Sequence, residues 1–544
     1  MNRISFKYIP TFALILAGCS VGPNYQRPET KSAKTWGEAD SSVVTTQPTT
    51  QPSKTTTQPA QLETWWKAFK DPTLDSLIER AVDANLDLKV ATERVREARA
   101  QRGVTAAVLW PTLDASGAYS YQGSSKNVGN NSSTELGPGK QLRNAAVNGA
   151  FNGLAGGSST ISGKQILVDS VQNTVNNKLS DTSTSTSRGQ NLFSAGFDAG
   201  WEIDVFGGNR RAVEAADADI DAYVESRHDV LVTLLSEVAL NYVELRGAQQ
   251  RLIIARENIV LQKDTVDLTQ VRYKAGFVSE LDIAQAQALL ANTEAEVPTL
   301  ETSIRQSIYQ LSLLLAQQPD ALLKELESVK PIPTVPPRIP VGLPSDLLRR
   351  RPDIRTAERQ LAASTARIGE ATADLFPKFS LTGSVGPQSS QINNLFDRNS
   401  FGWSVGPAVS WPVFDGWKIR SNIEVTNAQQ AQALATYQQT VLSAFKEVES
   451  DLVAYRNEQL RYEKLSQAVS ASQRSTDLSQ ELYMQGLTAF LDVLTAQKSL
   501  YSNQDSLIQS QITVTTNLIS LYKALGGGWE QMPEPYPKKT NDKK

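Results

Sequence analysis

Few residues in this chain could do covalent or metal chemistry. Among its 544 residues there is one cysteine, Cys19, and one histidine, His228. A multi-ligand Cys/His zinc site, a disulfide framework and a Cys–His pair close in sequence are therefore excluded. No phosphate-binding glycine loop and no nucleophile–base constellation appears, so neither an enzyme nor a metal or cofactor is expected. Arg349, Arg350 and Arg351 form a short basic run, but the formal charge is −3, which gives no nucleic-acid signature. His228 sits between Arg227 and Asp229 and reads as an exposed helix residue. What remains is one thiol near the N-terminus and acids at regular places: Asp198, Glu202, Asp204, Asp282 and Asp492.

The thiol has a context. Arg3 and Lys7 precede an apolar stretch from Ile9 to Ala17, which ends Leu16-Ala17-Gly18-Cys19. A short apolar core with a small-residue stop is a secretory signal, here residues 1–18. A cysteine directly after Leu-Ala-Gly resembles the bacterial lipobox. That resemblance implies lipid attachment at Cys19, cleavage before it and acylation of the new amino terminus. Each buried CH₂ adds about 0.8 kcal/mol of membrane affinity, so several acyl chains anchor firmly. Ser20, in place of Asp, favours sorting to the outer membrane by the same resemblance. Removing residues 1–18 takes away two positive charges and no negative ones, so the mature charge falls from −3 to −5. No run of 18 or more apolar residues follows, so no helix of the mature chain is expected to span a membrane.

The rest of the chain is one unit written twice. Val108-Leu109-Trp110-Pro111 recurs as Asp374-Leu375-Phe376-Pro377, and Val205-Phe206-Gly207-Gly208 as Val413-Phe414-Asp415-Gly416. Tyr273, Gly276, Leu281, Asp282 and Gln287 recur as Tyr483, Gly486, Leu491, Asp492 and Gln497. Such self-similarity governs the domain reading. It gives a lipidated tether over 19–61, a first repeat over 62–330, a Pro-rich linker over 331–344, a second repeat over 345–528 and a polar tail over 529–544. The tether carries Thr-Thr-Gln-Pro three times, a composition that cannot build a core. The first repeat carries about 58 extra residues, rich in Asn, Ser, Thr and Gly, near 121–190. Polar insertions of this kind lie in loops.

Each repeat reads as helix, hairpin, very long helix and long helix. Asn209 to Lys274 contains no proline and has apolar residues at three and four spacing. Its 66 residues span roughly 100 Å at 1.5 Å per residue, and Trp417 to Tyr483 is as long. Gly276 and Gly486 then mark turns, and shorter helices return over 279–317 and 489–525. A further helix precedes each hairpin, at about 73–109 and 353–375. Faces rich in Ala, Gln and Ser suit close coiled-coil packing. The helices alone leave a filamentous coiled coil open.

The strands argue for a membrane. Phe379, Leu381, Gly383 and Val385 alternate with polar residues, as do Phe401, Trp403, Val405, Val409 and Trp411. In the first repeat, Phe193, Phe197, Trp201, Ile203 and Val205 alternate with Ser194, Asp198, Glu202 and Asp204. Segments of about ten residues with one apolar and one polar face are the pattern of membrane barrel strands. A soluble sandwich is the competing reading, and four strands are too few to supply its second sheet. Four strands cannot close a barrel, and open edges cannot exist in lipid. The barrel must therefore be shared: two chains give 8 strands, three give 12. Asp198, Glu202 and Asp204 would then make the lumen acidic.

These features resemble the TolC-like outer-membrane efflux ducts, in the lipoprotein branch serving RND-type pumps (the NodT/OprM-like group). The strings that carry the resemblance are Cys19-Ser-Val-Gly-Pro-Asn-Tyr-Gln-Arg-Pro28, Trp65-Trp66-Lys-Ala-Phe69-Lys-Asp71-Pro72 and Leu343-Pro344-Ser-Asp-Leu-Leu-Arg-Arg-Arg351-Pro352-Asp353. The fold class implied is mainly α with membrane β. Long antiparallel coiled-coil hairpins and four strands per chain build a 12-stranded barrel in a homotrimer. The implied partners are a periplasmic adaptor protein, an inner-membrane RND pump and outer-membrane lipid, with no nucleic acid. The implied function is passive export of small molecules, and the insertion at 121–190 would lie outside the cell.

The resemblance also implies a gate at the helix tips. The Tyr before one tip glycine contacts an Asp after the other in related ducts; here that pair is Tyr483 and Asp282. Tyr273 and Asp492 hold the equivalent places of the other copy, and Leu491 matches a pore-constricting leucine. One turn on, relatives often carry Asp where this chain has Thr495. Three copies of Asp492 would give a cation-attracting collar; a helix-capping acid is the other reading. Two further functions are weighed: a type I secretion duct of the same fold, and a non-conducting structural or adhesive lipoprotein, against which the alternating aromatic strands count.

Overall fold

The computed structural model describes residues 20–29, 36–37, 54–56, 62–123, 190–336 and 338–530. Cys19, the signal segment, most of the tether, most of the 121–190 insertion and residues 531–544 lie outside them. The described chain forms two compact units. One is helical and draws on residues 1–109, 204–378 and 410–544; the other comprises 110–203 and 379–409 and carries the strands. Each unit combines parts of both sequence repeats.

In the helical unit, α1 (Pro72–Ala84) and α2 (Leu86–Ala107) precede the hairpin strands, then α3 (Gly208–Lys274) and α4 (Glu280–Leu314) follow. After α5 (Leu323–Leu326) and α6 (Pro344–Arg350), the second repeat supplies α7 (Pro352–Ala373), α8 (Lys418–Met484) and α9 (Phe490–Ala524). The duplication is preserved in length: α3 and α8 each have 67 residues, α4 and α9 each 35. At 1.5 Å per residue the long pair spans about 100 Å. α3 pairs with α4 and α8 with α9 as antiparallel hairpins, and α7 lies along both long helices.

The expected single helix at 73–109 is broken. Asn85 ends α1 and starts α2: its Oδ1 accepts from Leu88 N at 2.9 Å, and its Nδ2 donates to Leu314 O at 2.9 Å. A buried Asn satisfying both jobs favours a cap over helix continuation.

The core explains two of the motif strings. Trp65, Trp66 and Phe69 are buried with Leu74, Leu77 and Tyr242. Trp65 stacks on Tyr522 at 5.3 Å. Asp71 caps α1 through Thr73 N and Leu74 N, with Pro72 at the first helical position, and also accepts from Tyr242 Oη at 2.7 Å. In the other string, Asp346 accepts from Leu343 N at 3.1 Å and starts α6. Arg351 binds Asp353 (2.8 Å), Glu447 (2.7 Å) and Ala524 O (2.7 Å), joining α7, α8 and α9.

Composition concealed the docking of Trp36. It is buried in the core and donates to Gly342 O at 3.2 Å. Further along the same segment, β1 (Lys54–Thr56) pairs in parallel with β4 (Arg338–Pro340). His228 is not exposed, as expected from its charged neighbours, but 7% accessible. Its ring stacks on Trp529 at 4.6 Å and faces Glu225 at 3.2 Å, because α3 carries packing partners on several sides here.

The strand unit is one four-stranded antiparallel sheet in the order β2 (Thr112–Gln122), β3 (Gln190–Ile203), β5 (Lys378–Ser389), β6 (Phe401–Ser410). Its register puts Tyr119 opposite Phe193, Phe193 opposite Ser389, Phe197 between Ala115 and Val385, and Trp201 opposite Leu381. Phe197, Trp201, Val385, Trp403, Val405 and Val409 are all exposed. The opposite face is polar: Asp114 pairs with Asp198, Asp198 with Ser384, and Ser384 Oγ meets Ser404 Oγ at 2.8 Å. Among the described residues β2 and β6 each have one strand neighbour, so both outer edges of this sheet are open there.

Candidate functional site: the helix tips and the polar sheet face

The two tips are built alike. After α3, Phe277 N bonds Arg272 O at 2.9 Å and Gly276 takes φ +79°. After α8, Leu487 N bonds Leu482 O at 2.9 Å and Gly486 takes φ +75°. This is the left-handed helix ending that favours glycine. A Cβ at either position would meet nothing within 4 Å, so backbone conformation, not space, requires glycine there.

Each turn is followed by an acid that caps the next helix. Asp282 Oδ2 accepts from Ser279 N at 2.9 Å and from Ser279 Oγ at 3.0 Å. Asp492 Oδ2 accepts from Ala489 N at 3.2 Å and from Thr488 Oγ1. These are the capping-box bonds that satisfy otherwise orphaned helix N–H groups.

The expected hydrogen bond between Tyr483 and Asp282 is therefore not made within the chain. Asp282 is engaged by its own helix start. Tyr483 is 5% exposed, and its hydroxyl meets no partner among the described residues. Its ring lies against Phe490 at 5.3 Å and under the Arg272 guanidinium at 4.3 Å. Arg272 also donates to the last carbonyls of α8, Nη1 to Tyr483 O at 2.9 Å and Nη2 to Met484 O at 3.0 Å. A cation on a helix C-terminus and over a phenol ring is favourable twice over. Sequence reasoning missed Arg272. The signal was present: the tip motif repeats, but Arg272 is matched in the second copy by Leu482.

Around this clasp, Val266, Ala286, Tyr483, Phe490, Val493 and Leu494 form a small separate core. Tyr273 and Leu491 are exposed, as are Phe277, Leu281 and Leu487. Thr495 donates to Leu491 O at 2.8 Å and lines a groove with Ser472, Ser475, Ser479, Asp492 and Ser499.

The sheet acids divide. Asp198 lies on the polar face and accepts from Ser116 Oγ at 3.0 Å; Glu202 is on the same face, opposite Ser380. Asp204 is not a strand residue: β3 ends at Ile203. Its carboxylate accepts from Arg210 N at 2.9 Å and pairs with Arg210 Nε at 3.3 Å, at the start of α3. The helix start, with its free N–H groups, holds it there. Asp114, directly across from Asp198, was missed, although its parity beside Leu113 and Ala115 marked it.

Among the described residues no group of three or more His, Cys, Asp or Glu could hold a metal ion, and no helix is long and apolar enough to cross a membrane. The chain's similarities run along nearly its whole length. The nodulation protein T of Rhizobium leguminosarum bv. trifolii is 29% identical over 96% of this chain and 97% of its own. The solvent efflux pump outer membrane protein SrpC of Pseudomonas putida is 31% identical over 97% and 99%. The solved outer-membrane channel OprN superposes with a TM-score of 0.77 at 32% identity, covering 94% of this chain and all of that one. The model of the outer membrane efflux protein family matches residues 169–317 and 343–527, so the chain belongs to that family.

Proposed function

We propose that this outer-membrane efflux protein is the passive duct of a tripartite RND-type exporter, working as a homotrimer anchored by acylated Cys19. Three four-stranded sheets would pair edge to edge into one 12-stranded barrel. The long helices would line a periplasmic tunnel that meets an adaptor protein and an inner-membrane pump. The tips around Gly276 and Gly486 would form the gate, with Tyr273, Asp282, Tyr483, Leu491 and Asp492 as its residues. The name of SrpC, a solvent efflux component, supports small apolar molecules as cargo.

One observation carries the reading: among the described residues, a four-stranded sheet with two open edges, an exposed aromatic face and a polar face stands beside helices of 67 residues. Open edges and exposed aromatics are unfavourable in water, whereas a closed barrel in lipid satisfies both. The test is single-channel recording in planar bilayers, with the mass of the detergent-solubilised assembly. Discrete conductance from a particle of three chains is expected. Correctly inserted protein that never conducts would leave a structural lipoprotein as the reading. The mass of the N-terminal peptide decides separately whether Cys19 is acylated.

A further inference from the structure

The two long helices begin differently, although the units around them are duplicated. Gly207 alone separates Phe206 from α3, whereas Asp415-Gly416-Trp417 separates Phe414 from α8. Gly207 takes φ +80°, the left-handed conformation that glycine adopts freely; Trp417, in the same place before α8, takes φ +71°. A bulky residue there is strained, and such strain persists where function uses it. The fold gains little from this side chain. Trp417 is 62% exposed, and its ring contact is with the exposed Arg420, whose guanidinium carbon lies 4.6 Å from the ring centroid. Asp415 is engaged by the helix start, accepting from Trp417 N at 3.0 Å and from Ile419 N at 2.8 Å. Among the described residues neither Lys418 nor Arg420 has a carboxylate partner.

The approach to this turn is apolar and uncovered. Phe206 stacks on Phe376 at 4.5 Å, but its counterpart Phe414 is 88% exposed. Trp411 and Val413 are exposed too, and they follow β6 directly, carrying on the alternation of its exposed Trp403, Val405 and Val409. An apolar run at the end of a membrane strand, followed by a tryptophan and unpaired cations, suits the boundary between acyl chains and headgroups. We infer that the turn before α8 is a phospholipid-headgroup site, in which Trp417 sits at the acyl boundary while Lys418 and Arg420 bind the phosphate. The Trp417 ring covers one face of the guanidinium and leaves its N–H edge to donate to two phosphate oxygens. The inference rests on the reading of the sheet as part of an outer-membrane barrel, and adds to it a lipid contact at the start of a long helix.

The test titrates the full-length protein in detergent with dioleoylphosphatidylglycerol and reads the rise in Tm and the lipids retained in native mass spectra. Trp417→Gly and Arg420→Gln are each expected to weaken the apparent lipid affinity at least fivefold. Without lipid, Trp417→Gly should leave Tm unchanged or higher, because glycine relaxes the left-handed turn. Arg420→Gln changes an exposed side chain and keeps the turn, so it reports on lipid binding whatever the glycine variant does to folding. Unchanged lipid affinity in Arg420→Gln overturns the site. A lowered lipid-free Tm in Trp417→Gly with full lipid affinity overturns it too, since the ring would then serve the fold. Inorganic phosphate that raises Tm as far as the lipid does would mean a free-anion site instead. Loss of the three-chain mass in either variant would assign the surface to a second copy of the chain. Wild-type protein that never inserts into bilayers overturns the barrel reading itself, whereas inserting protein with indifferent variants overturns the headgroup site alone.

Discussion

Arg272 and Tyr483 join the two helical hairpins at their tips: the guanidinium carbon lies 4.3 Å from the phenol centroid, and Nη1 donates to the Tyr483 carbonyl at 2.9 Å. The arginine thus binds the ring and the helix end at once. Its counterpart in the other repeat is Leu482, so the duplicated unit yields one such clasp within each chain. This asymmetry distinguishes two tips that are otherwise built from the same turn and the same capping acid.

On the proposed duct, losing the clasp should loosen the tip gate. Hydrogen bonds to a charged donor contribute about 1.5–3 kcal/mol. Arg272→Leu, the residue of the second copy, is expected to raise opening events in planar bilayers by about tenfold or more, since about 1.4 kcal/mol is tenfold in an equilibrium. Arg272→Lys keeps a cation but not the two-pronged geometry, and should fall between. Opening no more frequent than wild type would show that the clasp does not hold the gate.

The phenol and the capping acid should behave differently from a hydrogen-bonded pair. Tyr483→Phe removes a hydroxyl with no partner among the described residues and is expected to leave opening unchanged. Asp282→Ala removes a helix cap worth about 0.5–2 kcal/mol and should speed hydrogen exchange in the first turn of α4. Because the two effects are separate, they should add in the double variant. Strong non-additivity in opening would mean that the two side chains meet in the assembled protein.

On the sheet, Asp114 and Asp198 face one another on adjacent strands. Like charges directly opposite are unfavourable unless well solvated, which suits a wet lumen. Asp114→Asn and Asp198→Asn are each expected to lower the cation-to-anion permeability ratio measured from reversal potentials. Asp204→Asn should leave that ratio unchanged and lower Tm instead, because Asp204 binds Arg210 at the start of α3. A ratio that responds to Asp204 and not to Asp198 would reverse the assignment.

The periodic parts of this molecule were legible because periodicity is local. Proline-free stretches with apolar residues at three and four spacing ended within a residue or two of α3 and α8, and alternation placed Phe197 and Asp198 on opposite sheet faces. What escaped depends on contacts far apart in sequence. Trp36 meets residues more than 300 positions away, so its sequence neighbours gave no warning that its ring is buried. His228 is covered by Trp529, which follows a glycine run near the C-terminus. At the tips, a helix cap is one of two readings that the sequence offers for Asp492, whereas Asp282 is read only as the partner of Tyr483; both acids cap their helices. Ser279 holds the Asp282 carboxylate at its own helix start, while the phenol ring packs against Phe490 and Arg272. Arg272 was visible as a difference between the copies, whereas the reading followed their identities.

Stability should depend on pH through Asp451 on α8. Burial first, and then the nearby Glu447, push its carboxyl up from the ordinary 3.8 to about 6, against the opposing pull of Arg351. Asp229 on α3 is raised by burial and by Asp353 and Glu447, so several acids crowd the same arginine. A carboxyl raised in the folded state binds its proton more tightly there than in the unfolded chain. Between pH 7 and about 4 the native state therefore holds more protons, and stability rises as pH falls through about 6. After allowance for solvent screening, the Asp451 share is on the order of 2 kcal/mol across that window. Asp451→Asn removes a buried charge at neutral pH, so it should raise Tm at pH 7.5 and leave it little changed at pH 4.5. The difference between the two proteins, measured by melting curves across pH, isolates this group from every other that titrates. A Tm difference that stays constant from pH 4.5 to 7.5 would mean that Asp451 does not change its protonation there.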